Sequence, residues 1–380
     1  MRVSGVLLAL VPAVVWADGS TIEKLFSRPF VWGTSPSQLE WSEKGHTLVF
    51  LWNEQGNRFL DLYAYHPDTK RRARLTSLES FKDELLLTGE EKDDRQKLYL
   101  MPQAGLASFT LSDDGTQVAF PFRDDLFIVP TSGDKPPFRL TRTKNRETFP
   151  QFSPDGKKLA MISGGQVIVH DLGTGQIWQV TDIEAADGTL AAFRWSRDGK
   201  RIAYMTRRGQ GRQMPLPNYS GQFVSATLFR RTVAGDDPLD MNVFVIAAEG
   251  GKPVRMEASS FGTKIYPGLI DWSPDSTKIL WGVADAVQKK QQILVWDAGT
   301  GKRTVLTEES DPAWVFDSEY GWSPDSKTVW FTSERDGWAH LYTVPAAGGT
   351  VLQLTKGSYE VRGERFTHPP QWIGDSLYYS

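Results

Sequence analysis

Serine recurs at one fixed place along this sequence, and a serine can be a nucleophile, so it is the first residue type to test for chemistry. Trp41-Ser42, Leu111-Ser112, Phe152-Ser153, Trp195-Ser196, Trp272-Ser273 and Trp322-Ser323 each set one behind a large apolar residue. A nucleophilic serine needs a strained strand-to-helix elbow of the form G-x-S-x-G, with a histidine and an acid as partners. Gly321-Trp322-Ser323 begins that way, but Pro324-Asp325 follows. The other copies continue as Glu-Lys-Gly, Asp-Asp-Gly, Pro-Asp-Gly, Arg-Asp-Gly and Pro-Asp-Ser. Proline presets φ at the second turn position and serine or aspartate caps a turn from its side chain, so these are turn serines and none is catalytic.

The remaining chemistry-bearing types are sparse. His46, His66, His170, His340 and His368 fall in different repeats without the short spacing of a zinc site, so no metal and no cofactor is implied. His340 sits in a strand and reads as a packed or edge residue rather than a general base. With no cysteine there is no disulfide, thiolate ligand or cysteine nucleophile. Carboxylates pair at Glu90-Glu91, Asp236-Asp237 and Glu308-Glu309. Neighbours on a strand point apart, so such pairs need a loop or helix to act together, and solvated loops are the default for all three.

The elements that would position these residues are legible between Gly321 and Thr355. Ser323-Pro324-Asp325-Ser326 turns the chain into a strand where Val329, Phe331 and Ser333 alternate with Thr328, Trp330 and Thr332. Arg335-Asp336-Gly337-Trp338 makes a hairpin before a third strand, His340 to Val344, and Ala346-Ala347-Gly348-Gly349 turns into a fourth, Val351 to Thr355. Each serine turn is followed by a comparable later strand, such as Leu62-Tyr63-Ala64-Tyr65, Val167-Ile168-Val169-His170 or Ile293-Leu294-Val295-Trp296. The last strand commonly ends in Leu-Thr or Val-Thr, as at Thr76, Thr141, Thr181, Thr307 and Thr355. Four antiparallel strands in about 40 residues, repeated in phase, predict an all-β fold, a β-propeller of four-stranded antiparallel blades.

Six copies are clear and a seventh begins at Gln371-Trp372-Ile373-Gly374-Asp375. A propeller closes at seven or eight blades, and the sequence stops at Ser380 part-way through one. The expectation is therefore a propeller truncated in this chain, with the natural polypeptide continuing. Two intervals exceed one blade. The first, about Ser77 to Ser108, carries the charge run from Gly89 to Arg95 and an extra strand expected at Leu98 to Met101. The second, Arg207 to Asp240, carries Pro215, Pro217, Asn218 and Tyr219, and long loops in compact domains are uncommon unless they serve a function.

With 43 basic against 46 acidic residues and a net charge of -3, nothing in the charge calls for nucleic acid or an anionic membrane. Arg71-Arg72-Ala73-Arg74 reads as the solvated face of an outer strand. Arg2, the apolar run Val6 to Val15 and Val15-Trp16-Ala17 read as a cleavable export signal at 1–17. Residues 18–380 are then the propeller domain, opening on a helix-compatible segment from Asp18 to Phe30, and the product is exported, periplasmic or secreted.

At Ser333 to Tyr342 the chain reads SERDGWAHLY, which together with FSPDGKKLA, WSRDGKRIAYMT and WSPDS resembles the N-terminal propeller of the prolyl oligopeptidase family, dipeptidyl peptidase IV-like branch. The resemblance implies a non-catalytic propeller set over a C-terminal α/β-hydrolase domain that bears a Ser-Asp-His triad, limiting access to short peptides. This chain would be the substrate-gating part of an exported serine peptidase, with the hydrolase domain and every catalytic residue outside it. Members that remove dipeptides hold the substrate amine with a Glu-Glu pair on a segment inserted into the propeller. The comparable insertion here has no glutamate, which leaves Asp236 and Asp237 as the substitute in place and puts Glu90-Glu91 in the wrong insertion. The partners implied are peptide substrates and the hydrolase domain of the same polypeptide, with a homodimer left open. The turn motif is shared with TolB-type periplasmic propellers, so a free-standing protein-binding module is the alternative.

Overall fold

A computed structural model describes residues 33–379, apart from 55–58, 78–103, 210, 220–221, 232, 234–235, 237–238 and 362–369. The expected signal at 1–17, the segment from Asp18 to Phe30, Glu90-Glu91, the strand expected at Leu98 to Met101, Asp237 and His368 lie outside the described residues. What is described is a succession of antiparallel sheets in which strands follow one another in chain order. The first sheet holds Ser37–Ser42, Thr47–Trp52, Phe59–His66 and Arg71–Arg74, with Ala104–Gly105 added in parallel to its third strand. The second holds Thr110–Leu111, Gln117–Phe122, Asp125–Pro130 and Phe138–Arg139, and the third Thr148–Phe152, Lys158–Ser163, Gln166–Asp171 and Ile177–Gln179. The fourth holds Thr189–Trp195, Arg201–Arg208, Asp240–Ala247 and Val254–Arg255. In the fifth, Tyr266–Pro267 and Asp271–Trp272 share the edge of Lys278–Ala284, followed by Lys290–Asp297 and Arg303–Ser310. The sixth holds Tyr320–Trp322, Thr328–Ser333, His340–Pro345 and Leu352–Gln353, and Gln371–Ile373 with Ser376–Tyr378 begins a seventh.

These sheets are propeller blades because the second to the sixth each bury both faces, one against the blade before and one against the blade after. A strand sends alternate side chains to opposite faces. In the sixth sheet Val329 and Phe331 join Leu280, Ile293 and Val295 of the fifth, whereas Trp330 and Leu341 pack with Trp372 and Leu377 of the seventh. The same division recurs along the chain, so that Leu126 and Ala119 of the second sheet meet Leu159 and Met161 of the third. A hydrophobic-on-both-faces strand is what this stacking requires, and it explains the near-continuous apolar runs of the second and third strands.

Polar clasps join the same neighbours at the rim. Trp195 Nε1 donates to Gln151 O (3.2 Å), Trp272 Nε1 to Arg194 O and Trp322 Nε1 to Asp271 O (both 3.3 Å), so each indole ties its blade to the one before. The turns that follow are also linked. Gly115, Gly156 and Gly199 take φ near 70°, and where serine replaces glycine, Ser276 (61°) and Ser326 (63°) keep that left-handed conformation. Their hydroxyls repay the strain by accepting from the preceding blade, Ser276 Oγ from Asp198 N–H and Ser326 Oγ from Asp275 N–H, each at 3.0 Å.

Two regions depart from the sequence expectation. The Arg207 to Asp240 insertion is not an irregular loop: it prolongs the second and third strands of the fourth blade and adds a two-stranded ribbon, Arg212–Asn218 against Ser225–Arg231. Pro215 and Pro217 fit because a free ribbon has open edges on both sides, where a missing N–H costs no ladder bond. The fourth strand of the sixth blade is shorter than expected, pairing only over Leu352–Gln353.

Candidate functional site

The serine turns settle their own role by geometry. Ser196 is fully buried, its hydroxyl donates to Asp198 Oδ1 at 2.6 Å, and its oxygen accepts Arg201 N–H at 2.9 Å. Ser112, Ser153, Ser273 and Ser323 make the same pair of bonds with their own turns. Each hydroxyl is saturated by its turn, and its acid partner belongs to that turn. The first copy differs because Lys44 stands where the others carry aspartate. There Ser42 Oγ turns outward to donate to Asp113 O of the second blade at 2.7 Å.

His340 is likewise a satisfied core residue. It is fully buried, Nδ1 lies 3.0 Å from Thr355 Oγ1, and Nε2 lies 3.0 Å from Gly357 O. Since Gly357 O can only accept, Nε2 carries the proton and Nδ1 accepts from the threonine. Thr355 Oγ1 in turn accepts Leu341 N–H at 3.0 Å. The same threonine clasp recurs at Thr76, Thr141 and Thr181, where Asp61, Asp125 and Gln166 take the histidine's place. This explains the recurring Leu-Thr ending. His46 stacks on Trp41 and pairs with Asp68 at 3.3 Å, His66 reaches Thr47 and Thr131, and burial pushes the His170 imidazole down. Among the described residues no group of histidines and carboxylates converges as metal ligands.

The serine turns join first strands to second, so second-to-third and fourth-to-next connections emerge at the opposite end of every sheet. That end carries the structure's unusual features. The ribbon rises from it on the fourth blade, with Leu216, Tyr219, Phe223 and Leu228 largely exposed. Asp236 lies just beyond the ribbon: Oδ2 accepts Val233 N–H at 3.1 Å and Oδ1 meets Arg212 at 2.6 Å. The Val233 N–H, with Arg212 beside it, holds this carboxyl below the usual range. Asp236 thus already has a cationic partner, and the amine role expected for the Asp236-Asp237 pair would need Arg212 to move.

Between the fifth and sixth blades, at the same end, lies a cavity of about 910 Å³. Glu308 and Glu309 line it from the end of the strand Arg303–Ser310, so this pair stands at a strand end beside a hollow rather than in a free loop. Glu309 meets Arg335 at 2.5 Å and Gln291 at 3.2 Å, while Glu308 accepts from Gln292 Nε2 at 2.6 Å. Arg335 also donates to Ser333 and Thr307 Oγ (both 2.9 Å), and its guanidinium lies over Phe331 and Tyr342. Within SERDGWAHLY the arginine is therefore the bolt between two blades, a role the hairpin reading of that stretch missed because its partners lie in another repeat. The outer wall is the 311–319 connection with Trp314 and Phe316, pinned by Asp311 N–H to Lys289 O (3.0 Å), Val315 N–H to Gln288 O (2.8 Å) and Glu319 N–H to Thr332 Oγ1 (2.9 Å).

Fold and cavity together define a propeller that is structurally elaborated at one end. Residues 137–371 match the family described as the dipeptidyl peptidase IV (DPP IV) N-terminal region, and the chain belongs to that family. It is similar to a probable dipeptidyl peptidase 4 of Aspergillus flavus, 23% identical over 257 residues that make up 56% of this chain and 32% of the relative. It is similar also to dipeptidyl-peptidase 5 of Porphyromonas endodontalis, 26% identical over 277 residues, 63% of this chain and 38% of that one. Among solved structures, Porphyromonas gingivalis dipeptidyl peptidase 4 superposes with a TM-score of 0.62 at 12% identity, covering 85% of this chain and 47% of that one. A putative dipeptidyl aminopeptidase IV from Bacteroides ovatus gives 0.53 at 18% identity over 85% and 48%. The chain thus spans about a third of the length of these curated relatives and about half of the solved chains.

Proposed function

We propose that this chain is the non-catalytic, substrate-gating propeller of an exported serine peptidase that acts on short peptides, with the hydrolase domain outside these residues. The observation that carries the reading is the family match, which puts the chain with the N-terminal region of dipeptidyl peptidases. The geometry supports it: five turn serines are saturated by their own turns, Ser42 is engaged by Asp113 O of the next blade, and the buried His340 is held by Thr355 and Gly357. The elaborations, ribbon and cavity, collect at one end of the sheets, where a second domain would meet them. A rigid stack of blades with precisely held loops selects by size and shape, which is steric selection rather than catalysis.

The test is to read the coding sequence past Ser380 and weigh the mature product. The expected result is a hydrolase segment with a G-x-S-x-G elbow followed by an Asp and then a His, in a protein whose mass starts at Asp18. A stop codon shortly after one more blade would replace this reading with a free-standing binding propeller.

A further inference from the structure

The ribbon on the fourth blade has two edges of different chemistry. In an antiparallel pair, residues that exchange N–H···O bonds with their partner alternate with residues whose N–H and C=O point outward. The register sets Pro215 against Leu228 and Pro217 against Ala226, and a proline has no N–H to give. The bonded pairs are therefore the ones that alternate with these, from Arg212 with Arg231 to Asn218 with Ser225. On the outer edge of Arg212–Asn218 the outward residues are Gln213, Pro215 and Pro217, with one N–H among them. On the outer edge of Ser225–Arg231 they are Ala226, Leu228 and Arg230, with all three. These three residues are exposed, Leu228 at 59%, and among the described residues no hydrogen bond from outside the ribbon reaches them. A row of open N–H and C=O groups is a template for another strand, and proline is one way to blunt it. Here one edge is blunted by proline and the other is not. Charge decides what fits the open one. Residues 207–231 hold five arginines and no carboxylate. Arg208 pairs with Asp240 and Arg212 with Asp236, whereas Arg230 meets no carboxylate among the described residues. Two such ribbons laid together repel, and an acidic strand is attracted.

We propose that the outer edge of Ser225–Arg231 takes up an extended acidic peptide by strand addition. In the antiparallel arrangement the peptide residue beside Arg230 carries a carboxylate, and the one two places on, beside Leu228, is apolar. Its use in drawing substrates to a peptidase rests on the function proposed above; the strand addition does not. The test is calorimetric titration of the full natural polypeptide with the peptide TETVT, acetylated and amidated at its ends. Replacing its glutamate by glutamine weakens binding severalfold, the scale of one exposed charge pair. N-methylation of its valine, whose N–H faces the edge, weakens binding about tenfold or more, whereas N-methylation of the central threonine, whose N–H faces away, does not. Leu228→Pro gives this edge what Pro215 gives the other. It abolishes binding and keeps the unfolding midpoint, because the Leu228 N–H makes no ladder bond, and Leu228→Ala loses far less. Arg230→Gln erases the preference for glutamate over glutamine. No binding by about 1 mM, equal binding of the two N-methylated peptides, or unchanged binding by Leu228→Pro would overturn the proposal. So would a dimer that Leu228→Pro splits, since the edge would then belong to a second copy. If the peptide binds this edge but no peptide is cleaved, the site stands and the peptidase reading falls. If peptides are cleaved and Leu228→Pro changes neither binding nor cleavage, the site falls and the peptidase reading stands.

Discussion

At Ser196 one hydroxyl fixes a turn by donating to Asp198 and accepting from Arg201 N–H, in a spot no solvent reaches. Alanine there leaves the Arg201 N–H without its acceptor, and an unmade buried bond costs about 1–3 kcal/mol. Ser196→Ala should therefore lower the urea unfolding free energy by that amount, and an unchanged midpoint would mean that water replaces the hydroxyl. The turn aspartates carry a pH signature. Asp325 is held below the usual aspartate range by the Ser323 hydroxyl and Lys327 N–H. For Asp155, Asp198 and Asp275 burial pushes upward, but serine hydroxyls and backbone N–H groups outweigh it and the net shift is down. A carboxyl lowered in the folded state adds stability that is complete above its unfolded value, about 3.9, and is lost as pH falls through the folded value. Unfolding midpoints should therefore drop steeply below about pH 4. Asp325→Asn should be weaker at neutral pH but show a shallower acid decline. Asp271 and Glu319, raised by burial, act in the opposite window, giving up stability as pH rises past the ordinary carboxylate range.

Among the elements, the serine turns were readable because one tight geometry demands the same residue types every time: an oxygen at the start, a carboxylate two residues on and a residue tolerant of positive φ after it. Ser276 and Ser326 show where that reading thins. The sequence presents them as substitutes for glycine, and only the neighbouring blade shows what their hydroxyls do. Ser276→Ala keeps the strained φ and strands the Asp198 N–H, so it should destabilise by about 1–2 kcal/mol; Ser276→Gly relieves the strain and should be close to neutral. Equal losses in the two variants would show that the left-handed φ at this position carries no strain. The ribbon was illegible for a different reason. Its prolines and polar residues resemble a loop, and its partner strand is itself, with no core to impose an alternating pattern. Because it pairs with no blade strand, replacing 209–239 by Asn-Gly, a two-residue hairpin turn, should change the unfolding free energy by less than about 1 kcal/mol. The cavity was illegible because its walls come from separate repeats, and Glu309 and Arg335 meet only once blades stack.

Across the whole molecule, stability and any site between blades depend on the same stacking. No cysteine is present to staple one blade to the next, so the apolar clusters between sheets and the indole and serine clasps are what hold neighbours in register. Phe331 tests this coupling. It is fully buried in the cluster shared by the fifth and sixth blades and supports the Arg335 guanidinium at 5.2 Å, but it does not line the cavity. Phe331→Ala should cost about 3–5 kcal/mol. Phe331→Leu, with a smaller void, should cost less and keep the protein folded at room temperature. In the leucine variant hydrogen exchange should quicken in both the fifth and sixth blades while the second and third stay protected, because a void at one interface loosens both its walls. Exchange confined to the sixth blade would show instead that each blade keeps its own shape whatever the packing at its neighbour's face.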